Sequence, residues 1–189
     1  MGKEKQWWPW ALAGVVFLVF AQAAGNGFIN YDDDAYILTN AHVRGGLTWD
    51  NFVWALTNWN YFYWQPLTWI SHQLDVTLFG LSAGPMHVES ALLHAVNAAL
   101  CFLVLRRLAG SAELALAGAA LWALHPLRVE SVAWAAERKD VLSGLFGLLA
   151  TLSYLERRPM WRTTLFFALG LMAKPAVVFL PLALLLFDY

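Results

Sequence analysis

Charge is what this chain lacks most. Only 13% of its 189 residues are Asp, Glu, Lys or Arg, while 60% are apolar. An ordinary soluble domain carries about twice that charge. A globule this small could not bury so much apolar surface, so the surplus faces lipid and the composition is that of an integral membrane protein. The net charge of −1 carries no message about nucleic acid, and with no basic patch interleaved with aromatics no nucleic-acid partner is expected. A single cysteine, Cys101, rules out an internal disulfide and reads as a small apolar residue in a helix.

Long apolar runs are what the chain does have. Residues 7–24 contain only Gln22 as a strongly polar group and suffice to cross about 30 Å of hydrocarbon. The basic start (Lys3, Lys5) and the tryptophans after it read as an interfacial anchor. A cleavable signal peptide is the rival, because Ala21-Gln22-Ala23 resembles a cleavage site. Further runs cover 87–105, 114–124, 141–155 and 163–187, the last interrupted by Lys174-Pro175. A lysine at mid-bilayer costs about 2.5–3.5 kcal/mol and proline disrupts a helix interior, so this run reads as two short spans. The expected fold is all-α, a polytopic transmembrane helix bundle of about six spans with interfacial helices in a large first outer loop over 25–84.

That loop is rich in aromatics, Trp49, Trp54, Trp59, Tyr61, Phe62, Tyr63, Trp64 and Trp69, which collect at a membrane–water boundary. Within it, 67–81 carries apolar residues at helical spacing with Ser71, His72 and Asp75 on another side, the pattern of a helix lying in the interface. In the 87–105 span, His87, Ser90, His94, Asn97 and Cys101 fall near one stripe. Such a stripe serves hydrogen bonds between helices or lines a polar path.

With the N-terminus inside, 7 of the 12 cations (Lys3, Lys5, Arg106, Arg107, Arg157, Arg158, Arg162) are cytoplasmic and 9 of the 13 acids lie outside, as the positive-inside rule requires. Three groups then share the outer face. They are Asp32-Asp33-Asp34, the loop bearing Glu130, Glu137, Arg138, Lys139 and Asp140, and Lys174. Three adjacent carboxylates with no basic residue before Arg44 are costly to desolvate. Either water screens them or they meet a cation, a metal or a proton. Such a site suits transfer from a lipid phosphate, with a carboxylate as general base and cations, or a divalent metal, on the leaving phosphate. Simpler readings exist for the parts. Asp140 would cap a helix starting at Val141, Arg138 and Lys139 would snorkel, and His125-Pro126 would stop a helix.

The segments 28–36 (FINYDDDAY), 64–69 (WQPLTW), 125–143 (HPLRVESVAWAAERKDVLS) and 170–175 (GLMAKP) resemble the transmembrane-and-tetratricopeptide-repeat family, which is similar to protein O-mannosyltransferases of the C-type glycosyltransferase superfamily. The resemblance implies a polyprenyl-phosphate sugar donor, with mannose as the sugar, a protein hydroxyl as acceptor, and contact with membrane lipids. It places the catalytic acids on Asp32 and Asp33, Asp32 as general base and Asp33 orienting the acceptor or holding a metal. It puts Glu137 to Asp140 in the outer loop that helps hold the donor phosphate or a metal. Joined with the shared outer face, this leads to Arg138, Lys139 and Lys174 as the expected partners of the donor phosphate and Glu137 and Asp140 as those of a divalent metal such as Mg or Mn. Asp34, which lies where the family is less particular, His125 and Glu130 are expected as supporting residues. Gln65 stands where the family has histidine. The chain is expected to be the N-terminal part of such an enzyme, one domain over 1–189 without the repeats, in a bacterial inner membrane with its N-terminus cytoplasmic, or in the endoplasmic reticulum membrane if its source is eukaryotic. A non-enzymatic anchor for an envelope complex and a transporter are the rival readings.

Overall fold

The computed structural model describes residues 6–59 and 63–188, so Lys3, Lys5, Tyr61 and Phe62 lie outside the described residues. Every regular element described is helical. The first part of the chain gives α1 (Trp8–Phe20), α2 (Ala41–Arg44), α3 (Trp49–Thr57), α4 (Pro66–Phe79) and α5 (Ala83–Ala109). The second gives α6 (Ala112–Ala123), α7 (Arg128–Ala133), α8 (Arg138–Leu155), α9 (Met160–Ala173) and α10 (Leu180–Leu185). Short 3-10 turns join several of them.

α5 is the helix on which α1, α6 and α8 pack. Its 27 residues reach about 40 Å at 1.5 Å per residue. Arg106 and Arg107 sit in its last turn, favourable to the helix dipole, and Gly110 ends it at φ +67°, a conformation other residues resist. On α1, Leu12, Val16 and Phe20 recur every four residues and are buried, while Trp10, Leu18 and Val19 are exposed. On α6, Ala112, Ala115, Ala119 and Ala123 form a buried stripe in one core with Ala91, Ala95, Ala98 and Phe102 of α5. Small residues at this spacing let helix backbones approach closely where lipid gives no hydrophobic drive.

Three members of the polar stripe on α5 meet neighbouring backbone. His94 Nε2 donates to the Ala123 carbonyl at 2.9 Å and Asn97 Nδ2 to Val141 at 2.8 Å. His87 Nε2 lies 3.4 Å from the Gly27 carbonyl. These contacts fit the reading of hydrogen bonds between helices.

Among the described residues, two helical stretches are long and apolar enough to cross a membrane, Trp8–Gly25 and Ala83–Ala109. The stretches Ala112–Ala123, Met160–Ala173 and Pro175–Leu185 are apolar but shorter. The structure therefore shows two spans of membrane length where the sequence pattern suggests about six. The break at Lys174-Pro175 is present. α9 stops at Ala173, Lys174 is extended, and a 3-10 turn over Pro175–Phe179 leads into α10.

The segment before α5 has its own core of Tyr36, Ile37, Val43, Ala55 and Trp69, closed by Met86 of α5 and by Ala135 and Ala136 from the loop before α8. Asn40 and Thr48 cap α2 and α3 through their side chains, and Pro66 opens α4 where its missing N–H costs nothing. α4 is inverted relative to a soluble amphipathic helix. Thr68, His72, Gln73 and Asp75 are buried, whereas Leu74, Leu78 and Phe79 are exposed. Trp69 is buried with them; polar groups turned toward protein, with leucines turned outward, is the arrangement of helices that meet lipid.

Candidate active site at the charged end

The acidic stretch enters a single helical turn over Asp34–Leu38. Asp33 is wholly buried, and both of its oxygens are engaged by backbone. Oδ2 accepts from Ile29 N–H at 2.9 Å and Oδ1 from Ala136 N–H at 2.8 Å. Two amide donors compensate the desolvated charge and tie the first loop to the turn before α8. Asp33 is thus placed as a clip rather than facing a ligand. Asp32 and Asp34 are half-buried.

The partner turn alternates acid and base. Glu137 pairs with Lys139 at 2.6 Å and with Lys174 at 3.5 Å, and Lys174 also bonds Asp140. Asp140 further accepts from Ser131 Oγ at 3.1 Å. Lys174 reaches this place because α9 breaks there, and Thr68 of α4 donates to the last carbonyl, Ala173, at 3.1 Å. Burial alone would lower the pKa of Lys174, but Asp140 and Glu137 outweigh it and raise it. Lys139 is buried, donates to the Ala136 carbonyl at 3.2 Å, and stands 4.7 Å over the Tyr36 ring. Burial above all pushes the Tyr36 hydroxyl up to about 12, and the charges of Asp32 and Glu137 act the same way.

Arg138 has no exposed surface. Its Nη1 bonds Asp75 of α4 and, at 2.9 Å, Glu89 of α5. Nη2 donates to the Met86 carbonyl at 2.8 Å and Nε approaches Ser90 Oγ at 3.5 Å. This guanidinium, expected at a donor phosphate, is instead a lock joining α4, α5 and α8. One cation between two carboxylates leaves an excess negative charge, and burial, reinforced by Glu89 and opposed by Arg138, raises Asp75 to about 8. His72, one turn before Asp75, is held well below its usual range by burial and then by Arg138 and Lys139, so it is neutral. α8 starts at Arg138, so Asp140 lies in its first turn and is not its cap.

His125 and Glu130 are exposed, and His125 Nδ1 accepts from Leu127 N–H at 3.2 Å within its own turn. Neither joins the cluster. Among the described residues no three His, Cys, Asp or Glu side chains gather as metal ligands. Between Glu137 and Asp140, the expected metal carboxylates, stands the ammonium of Lys174.

Beside the cluster opens a groove of about 480 Å³ between α8 and the chain after Lys174. Arg128, Asp140 and Lys174 line it together with Gly144, Gly147 and Leu180. Arg128 is absent from the residues that the sequence singled out. Its only signal was a basic residue inside the specific run HPLRVES.

The chain is thus all-helical, with two stretches of membrane length and a charged cluster beside a groove. The chain is a distant homologue of the transmembrane-and-tetratricopeptide-repeat protein O-mannosyl-transferases over a part of their length. It is 34% identical over 92% of its residues to protein O-mannosyl-transferase Tmtc2 of Drosophila melanogaster. It is 32% identical over 76% to human protein O-mannosyl-transferase TMTC1, and 28% identical over 78% to human TMTC4. The chain spans about a fifth of the length of these curated relatives, 21%, 17% and 23% respectively. No family model matches it, and no solved structure matches it significantly.

Proposed function

We propose that the chain forms the N-terminal, site-bearing part of a multi-pass glycosyltransferase that moves mannose from a polyprenyl-phosphate donor to a protein hydroxyl. Its shorter apolar helices complete about six crossings within a larger bundle, and the site faces the extracytoplasmic side of a bacterial inner membrane. The observation that carries this reading is the bond between Asp33 and Ala136 N–H. It holds the first loop against the turn bearing Glu137 and Asp140, with the groove alongside.

In the proposed step Asp32 takes the proton of the acceptor hydroxyl. The oxygen attacks the anomeric carbon from the side opposite the phosphate, and the bond between that carbon and the phosphate oxygen breaks with its electron pair. The departing phosphate is met by cationic charge at the groove head, where Lys174 is partly exposed at 27%. Asp33 and Arg138 act through position, the first by fixing the loop and the second by locking α4 to α5 and α8. Glu137 and Asp140 orient Lys174.

The test is Asp32→Asn in the full-length protein, assayed for mannose transfer from a polyprenyl-phosphate mannose to an acceptor peptide. Transfer should be abolished while membrane insertion is retained. Unchanged transfer would remove Asp32 from the mechanism, and an anchor would tolerate replacement of all three aspartates.

A further inference from the structure

The cations at this end of the molecule differ in one respect. Arg138, Lys139 and Lys174 each have a carboxylate partner. Among the described residues none pairs with Arg128, which lines the groove from α7. Its guanidinium stands 4.9 Å over the Trp122 ring, and its Nε is shielded from solvent without an acceptor. A cation–π contact attracts the charge but takes no N–H. Asp140, the carboxylate in the same groove, is already engaged by Lys174 and Ser131. A partly buried guanidinium with an unmet donor, in an open groove, calls for an anion from outside.

We infer that Arg128 is the anion-recognising residue of this groove and that it selects amphiphiles with a phosphate head. The phosphate would lie beside Arg128 and the chain along Gly144, Gly147 and Leu180. The apolar part of the lining gives the chain its place, because a free phosphate would leave it unfilled. Gly147 is open above its Cα, with nothing within 4 Å of an added Cβ, so a larger residue there narrows the groove without striking the fold. This assignment rests on the donor reading above and adds to it the residue that reads the head.

The experiment uses the whole chain in dodecyl maltoside micelles, whose head carries no phosphate, with farnesyl phosphate as probe and farnesol and inorganic phosphate as competitors, binding being followed by native mass spectrometry. Farnesyl phosphate should bind, and neither competitor should displace it at equal concentration. Arg128→Gln should weaken binding at least about tenfold, the scale of lost charge-assisted hydrogen bonds, and Arg128→Lys by less. Gly147→Leu should weaken it comparably with Arg128 intact, which keeps the test decisive if Arg128→Gln fails to fold by circular dichroism. Equal binding by wild type and a folded Arg128→Gln would overturn the assignment. Displacement by inorganic phosphate would make this a free-anion site, and displacement by farnesol an apolar slot without head recognition, and either result overturns it. The two readings also fail separately. Arg128-dependent binding without sugar transfer by the full-length protein would sink the transferase and leave the site. Transfer that is indifferent to Arg128 would do the reverse.

Discussion

Around α5 the buried side chains are largely alanine, as in Ala91, Ala95 and Ala98 against Ala112, Ala115 and Ala119. Around α4 they are Trp69, Gln65, His72, Gln73 and Asp75, sealed by Arg138. The first core resembles helix packing in lipid, where close backbone approach spreads stability over many small contacts. The second concentrates it in a few desolvated charges, each costly unless paired. A single substitution should therefore be felt far more in the second core, and most of all at the clips that join the loops into one site.

The largest effect is expected for Arg138→Met. It leaves Asp75 and Glu89 facing each other without a cation, a loss of about 3–5 kcal/mol for a broken buried pair. Limited proteolysis should then cut the 25–84 segment while peptides of α5 stay protected. Equal protection of both regions would erase the contrast. Asp33→Ala removes the acceptor of two buried amides and should cost about 3 kcal/mol, read as accelerated cleavage of the same segment. Ala119→Leu tests the other core by overpacking its alanine seam, at about 1–3 kcal/mol, and should lower thermal stability without exposing the 25–84 segment.

The outer segment should also respond to pH. His72 has a depressed pKa, so the unfolded chain takes up a proton that the folded one refuses, and stability falls as pH drops below about 6.5. Asp75 is raised to about 8, so the folded chain keeps a proton that the unfolded chain has released. Stability from this group is lost as pH rises from the ordinary carboxylate range toward 8. The two oppose each other at mildly acidic pH, and between about 6.5 and 8 the Asp75 loss stands alone, near 1 kcal/mol per pH unit. Asp75→Asn should flatten that upper limb in a denaturation series against pH. The smallest effect is expected for Asn97→Leu in the α5 stripe, about 0.6 kcal/mol for a hydrogen bond between helices in a membrane.

Much of the architecture was legible because it is local. Apolar runs with arginines after them mark α5 and α8, and Lys174-Pro175 marks the break that delivers Lys174 to Glu137 and Asp140. The direction of α4's polar face was not legible, since periodicity shows two sides without saying which meets protein. Nor were the roles of Asp33 and Arg138. Asp33 finds its donor 103 residues away at Ala136, and Arg138 finds its acids on two other helices. A run of charges such as Glu137-Arg138-Lys139-Asp140 looks like a solvated face until the fold turns the middle pair inward. His125 and Glu130 illustrate the opposite error, chemically apt residues that remain on the surface.

Hydrogen exchange at the Ala136 amide is the most direct probe of the joined loops, because its acceptor is a side chain of the distant acidic stretch. In the intact protein this amide should exchange slowly, and Asp33→Ala should speed it by about a hundredfold, the scale of a lost charge-assisted bond. An Ala136 amide that exchanges freely in the intact protein, or one that Asp33→Ala leaves unchanged, would contradict the account.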